Sequence, residues 1–166
     1  MYEIGEMVMY GVHGVCTVVD VEERKIDRKL AQYLVLQPKE QSGSRFYVPM
    51  ANANAMAKLR PMLTLQQLEE LLASDAVRQD CWIADENQRK QCYRELIAGG
   101  DRTALLQMVR TLYTQKQVQI SQGRKFHLCD ENFLRDAQKL LSTEFSVILG
   151  IPQAEVGAYV LSKLSD

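Results

Sequence analysis

Near its start the chain reads Val8-Met9-Tyr10-Gly11-Val12-His13-Gly14-Val15-Cys16, two apolar runs joined by a segment with a glycine at each end. This pattern predicts a tight hairpin-like corner between two strands. Further strand-like runs follow, with polar turns between them, at Val15–Val21, Tyr33–Leu36 and Arg45–Pro49. Their spacing of about ten residues indicates a small antiparallel β-barrel or meander, too short for an enzyme domain.

Helix signals replace strand signals after Pro49 and an ambiguous Ala/Asn-rich stretch. Arg60-Pro61 is expected to break the chain. Thr64 and Gln67 then fit a capping box, with leucines at helical spacing behind them. We therefore predict an α+β protein, with a small β-barrel domain over residues 1–60 and an all-helical domain over residues 61–166.

Four further helices are predicted inside the second domain. The first is expected from about Cys81 to Ala98, ending at Gly99-Gly100. Asp101 and Asp130 are predicted to be the N-caps of the next two helices. The predicted end of the last of these is Gly150, after which Pro152 opens a short final helix.

Composition limits the classes of protein that the chain can belong to. It has 166 residues, a net charge of −1, 25% charged and 46% apolar residues, which is typical of a soluble globular protein. No apolar run approaches the roughly 18 residues of a membrane span, and the first residues do not resemble a secretory signal. Four cysteines are scattered without C-x-x-C spacing. We expect a cytoplasmic protein without a membrane segment or a disulfide framework.

No residue constellation supports an enzyme, a metal site or a cofactor. Gly99-Gly100-Asp101 is explained by a helix end followed by an N-cap. His127 and Cys129 lack the further ligands that zinc requires. His13 lies in a turn without a partner group for acid–base chemistry. We therefore predict no catalytic residue, no metal and no cofactor.

Two features remain open to a structural and a functional interpretation. Trp82, the only tryptophan, either packs as core or stacks against a DNA base step as a wedge. Residues 102–129 contain five basic residues and no acid. They form either a solvated surface or a set of phosphate contacts. The basic residues are Arg102, Arg110, Lys116, Arg124 and Lys125.

The order of several short motifs resembles the bacterial CarD/CdnL family of RNA polymerase-binding transcription regulators. The motifs are Ile4–Val15, Tyr33–Leu36 and Phe46–Pro49, then Trp82, Tyr93–Leu96, Val109–Tyr113 and Ala137–Leu141. The resemblance implies a Tudor-like N-terminal barrel that binds the RNA polymerase β subunit. It also implies a helical domain that steadies promoter complexes, with weak contact to promoter DNA.

The resemblance also implies positions for the binding residues. Arg24 and Tyr47 would lie on the polymerase face. Trp82 would be the wedge in the minor groove, with Arg89, Lys90 and Arg94 near DNA; Arg124 and Lys125 are further candidates from the basic segment. Better-known members have an arginine where Tyr47 stands, and here Asp85 and Glu86 follow the tryptophan. The alternative is an adaptor that binds polymerase or another partner without touching DNA.

Overall fold

A five-stranded antiparallel sheet forms the first part of the chain. The computed structural model describes residues 2–41 and 43–164, and the chain divides into two compact units, Met1–Met62 and Leu63–Asp166. The strands of the first unit are β1 (Met7–Tyr10), β2 (Val15–Ile26), β3 (Lys29–Pro38), β4 (Phe46–Pro49) and β5 (Leu59–Pro61). Their spatial order is β4-β3-β2-β1-β5. The antiparallel sheet followed by helices confirms the predicted order of elements.

The corner between β1 and β2 is the one that the two glycines predict. A single 3₁₀ turn spans Gly11–His13, and the Tyr10 amide donates to the Gly14 carbonyl at 2.9 Å. Gly11 and Gly14 have φ of +48° and +79°. Residues with a side chain rarely adopt these angles, so the corner requires glycine at both positions.

The β2–β3 hairpin is longer than the predicted strands. Its turn is reduced to Asp27 and Arg28, both with positive φ, as expected of a two-residue turn between twisted strands. The polar residues before the turn belong to β2 because backbone pairing with β3 extends beyond the core. A shift in register between Val18 and Asp20 marks a bulge.

The sheet is open in the described residues, so the predicted barrel is not confirmed. β4 and β5 occupy its two edges. β5 was also not predicted, because Arg60-Pro61 was expected to be a break. Pro61 is compatible with a strand here since β5 is an edge strand that pairs on one side only, with β1.

The first unit has one main cluster of buried apolar side chains. It contains Val8, Cys16, Val18, Leu34, Leu36, Val48 and Leu59. The short helix α1 (Ala53–Met56) lies between β4 and β5 in the sequence. Its first turn is capped by Asn52, whose side chain accepts a hydrogen bond from the Ala55 amide at 3.1 Å.

The second unit consists of helices around a separate apolar core. They are α2 (Leu65–Ala73), α3 (Glu86–Gly99), α4 (Arg102–Ser121), α5 (Leu128–Leu149) and α6 (Gln153–Leu164). The capping box of α2 and the Asp101 cap of α4 are confirmed. Gly100 and Gly150 end α3 and α5 in the left-handed conformation, as predicted.

Two predicted helix starts were wrong. α3 begins at Glu86 with Asp85 as its N-cap, so residues 79–85 form a loop rather than the first turn. α5 begins at Leu128, and Asp130 is buried inside its first turn rather than capping it. The Asp130 carboxylate binds a side chain of α3 instead of backbone amides, which sequence position alone does not indicate.

Hydropathy gives no candidate for a membrane span in any one helix of the described residues. α5 and α6 together satisfy length and composition, but they meet at 94°.

Candidate functional site

Arg24 and Tyr47 lie together on one face of the sheet, although they belong to β2 and β4. The Arg24 Nη2 donates to the Tyr47 hydroxyl at 2.9 Å, and its Cζ lies 4.0 Å from the centre of the tyrosine ring. The Arg24 Nε also binds Glu22 at 3.0 Å. A cation held over an aromatic ring at this distance is a favourable pair. Both side chains stay exposed and can contact a partner.

The edge of the sheet beside Tyr47 is incompletely covered. β4 pairs only with the segment Tyr33–Leu36 of β3, although β3 begins at Lys29. Two apolar side chains near the hairpin turn, Ile26 and Leu30, are 50% and 68% exposed. A sheet edge that is covered over only part of its length and has exposed apolar side chains is a surface that an added strand can pair with.

In the second unit, Trp82 lies in the loop before α3 and is partly buried against the helical core. Both neighbouring helices hold this loop. The Cys81 amide donates to Thr111 Oγ1 at 3.1 Å, and the Tyr93 hydroxyl donates to the Cys81 carbonyl at 2.9 Å. The ring is therefore neither fully buried core nor a free surface residue.

Arg89 lies under the Trp82 ring, with its Cζ 4.3 Å from the ring centre. Its Nε and Nη2 each donate to Asp130 at 2.9 Å, and its Nη1 donates to the Ile83 carbonyl at 2.9 Å. Arg89 is only 3% exposed. This differs from the sequence-based expectation of a DNA contact, since every guanidinium nitrogen already has a protein acceptor.

The link between Arg89 and Asp130 was missed by sequence reasoning. The two residues are 41 positions apart, and each had another interpretation, Arg89 as a DNA contact and Asp130 as a helix cap. No local pattern reveals a buried pair between two helices.

The acids beside Trp82 have local partners. Asp80 accepts from the Trp82 amide, and Asp85 accepts from the Gln88 amide. Glu86 pairs with Lys90 at 3.2 Å, and the hydrogen bond from Lys90 lowers the pKa of Glu86 below its ordinary value. Arg94, one turn beyond Lys90, is exposed. Lys90 and Arg94 are therefore the basic residues of α3 that face solvent at least in part.

The basic segment does not form one continuous patch. Arg102 pairs with the buried Glu144, Arg110 donates to the Arg78 carbonyl, and Lys116 pairs with Glu131 at 3.0 Å. Arg124 and Lys125 are exposed in the loop between α4 and α5. Of the five basic residues, these two are the exposed ones that suit phosphate contact.

The loop with Arg124 and Lys125 leads to the same end of the unit as Trp82. The thiol of Cys129, at the start of α5, lies 3.9 Å from Glu86, at the start of α3. The structure therefore brings Trp82, Lys90 and the loop to one end of α3 and α5.

The described residues contain no group of three or more His, Cys, Asp or Glu side chains that could hold a metal. Burial raises the pKa of the Cys16 thiol to about 11 and also raises that of Cys81. A thiol with a raised pKa is a poor nucleophile at neutral pH. The centre of the His13 ring lies 4.5 Å from that of Phe46 and 5.3 Å from that of Tyr10.

The class of the first unit comes from comparison with known families. Residues 2–61 match the family model described as the CarD-like/TRCF RID domain. Residues 2–61 are thus similar to this family, and the predicted resemblance is confirmed for these residues. The family is an RNA polymerase-interacting domain and not a catalytic one. The chain matches no curated protein.

Proposed function

We propose that the chain is a cytoplasmic bacterial transcription regulator. Its first unit binds the β subunit of RNA polymerase, and its helical unit steadies promoter complexes by weak contact with DNA. The observation that carries this proposal is the CarD-like/TRCF RID match over residues 2–61. We also propose that the first unit is the Tudor-like barrel of the family, in which the two edges of the sheet come together.

The polymerase face is proposed at Arg24, Tyr47 and the neighbouring edge of β4. The hydrogen-bonded and stacked pair supports this because it presents a charge and an aromatic ring together on one exposed face. Edge-strand pairing would add backbone hydrogen bonds, and this pair would supply side-chain specificity.

The DNA face is proposed at Trp82, Lys90, Arg94, Arg124 and Lys125. A partly exposed indole in a unit that also exposes basic residues fits a minor-groove wedge accompanied by phosphate contacts. Because polymerase binding raises the local concentration of the helical unit at the promoter, a weak affinity for DNA is sufficient.

A second candidate is an adaptor that binds polymerase without contacting DNA. It is favoured by the burial of Arg89 and by the pairing of Lys90 with Glu86. The net charge of −1 also gives no general attraction to DNA. A gel-shift assay with and without polymerase, at several salt concentrations, separates the two. If the chain is only an adaptor, the helical unit makes no salt-dependent contribution to DNA binding, either with or without polymerase.

Replacing both Arg124 and Lys125 with alanine is expected to weaken formation of the polymerase–promoter complex. The slope of log affinity against log salt concentration should fall in magnitude by about 1 to 2, because each lost phosphate contact removes about one released counterion. The measurement is complex formation over a series of salt concentrations.

A matched control removes two exposed basic residues from α5, Arg135 and Lys139, with the same change in net charge. This variant is expected to retain the wild-type slope. Equal slopes for the two double variants would mean that Arg124 and Lys125 are only part of a solvated surface.

A further inference from the structure

The Trp82 ring rests on an arginine side chain, Arg89, that is itself held in place. The indole lies over a guanidinium that cannot rotate, because two of its nitrogens bind both oxygens of Asp130 and the third binds the Ile83 carbonyl. A bidentate pair fixes the plane of the guanidinium as well as its position. One face of Trp82 therefore rests on a rigid planar cation.

The geometry points to Arg89 and Asp130 as positioning residues, which hold the Trp82 ring in the orientation that it presents to a base step of promoter DNA. This inference rests on the proposed function for its DNA partner. Asp130 acts through Arg89, and neither residue needs to touch DNA. The predicted DNA role of Arg89 is thereby replaced by an indirect one.

The burial of Arg89 and Asp130 suits them to hold the Trp82 ring in place. Asp130 is fully buried and Arg89 nearly so, whereas Trp82 retains exposed surface. Asp130 belongs to α5 and Arg89 to α3, so two helices, and not its own loop alone, hold the ring in position. An indole fixed before DNA arrives loses less rotamer freedom on binding, which favours the wedged state.

A second ion pair in the same unit, which also has a buried carboxylate, provides a matched control. Arg102 binds Glu144, which also accepts from the Leu63 amide at 3.4 Å. Glu144 lies 14 residues after Asp130 in α5, about 21 Å along the helix axis. Substitutions at the two pairs both break an ion pair with a buried carboxylate, but only those at the first pair act directly on the support of Trp82.

Fluorescence of the full chain tests the positioning without DNA or polymerase, because Trp82 is the only tryptophan. Asp130→Asn is expected to raise the acrylamide quenching constant at least about twofold, since the Arg89 guanidinium is then no longer held in place and the ring above it can move. Glu144→Gln should leave quenching near the wild-type value. An equal change in both variants, or no change in Asp130→Asn, would overturn the inference.

If Asp130→Asn does not fold, Arg89→Lys replaces it, with Arg102→Lys as its control. Lysine keeps the charge beside Asp130 but has no planar face for the indole. The same rise in quenching is expected for Arg89→Lys and not for Arg102→Lys. Equal quenching in these two variants would overturn the inference in the same way.

The lifetime of the open promoter complex then tests whether the positioning matters for DNA. Asp130→Asn is expected to shorten it several-fold in the wild-type background and to have little further effect when Trp82 is already alanine. Independent effects of the two substitutions would overturn the link. A Trp82→Ala variant with an unchanged lifetime would instead contradict the proposed DNA function, while the fluorescence result would still decide the positioning.

Discussion

Trp82→Ala is expected to shorten the lifetime of the open promoter complex strongly while lowering the stability of the protein only moderately. The ring is partly buried against the helical core, so its loss should cost about 1–3 kcal/mol rather than the 3–5 kcal/mol of a fully buried aromatic residue. The effect on DNA should be larger because an unstacked base step would lose its support. Thermal unfolding and open-complex decay measure the two effects separately.

Trp82→Phe is the matched control, because it keeps an aromatic face over Arg89 but has a smaller ring. We expect it to retain most of the stability and part of the open-complex lifetime. If Trp82→Ala loses about 3–5 kcal/mol of stability, the range typical of a fully buried aromatic residue, the wedge interpretation is refuted. Normal promoter kinetics in a stable Trp82→Ala variant would favour the adaptor.

Arg24→Glu is expected to weaken binding of the polymerase β subunit by roughly tenfold or more, since charge reversal at an interface removes a complementary contact and adds a repulsive one. The substitution also removes the hydrogen bond to the Tyr47 hydroxyl and places a carboxylate beside Glu22. The affinity for the isolated β-subunit lobe, measured by titration calorimetry, checks this result.

Lys25→Glu makes the same change of charge at the next residue of β2. Because successive side chains of a strand point to opposite faces, Lys25 lies on the other side of the sheet from Arg24. We expect its affinity for the β-subunit lobe to be close to that of the wild type. Equal losses in the two variants would show that general charge, rather than the Arg24–Tyr47 face, controls binding.

The parts of the fold that follow from local chemistry were predictable. The glycines of the β1–β2 corner, the capping box at Thr64, the Asp101 cap and the glycine helix ends each depend on a few adjacent residues. Backbone conformation and hydrogen-bond partners at such positions lie within a few residues of one another. A single sequence therefore contains the information that determines them.

The failures have a common physical origin in contacts between distant segments. β5 is a strand because β1 offers it an edge, even though Pro61 disfavours a strand locally. Asp130 is buried because Arg89 reaches it from another helix, although its position suggests a cap. In each case the partner lies far away in the sequence, and tertiary pairing overrides the local preference.

In the candidate site, too, contacts between distant segments were the part that the sequence alone did not reveal. The resemblance indicated Arg24, Tyr47 and Trp82, and the structure places the first two in direct contact. Charge counting over residues 102–129 suggested one basic surface. It could not distinguish Arg102 and Lys116, which are paired with acids from α5, from the exposed Arg124 and Lys125.

Polymerase binding by the first unit is tested by titrating the full chain against the isolated β-subunit lobe and against the core enzyme. A polymerase-binding role predicts saturable binding to both, weakened by Arg24→Glu and retained by Lys25→Glu and Trp82→Ala. A folded full-length chain that binds neither the lobe nor the core enzyme would contradict it.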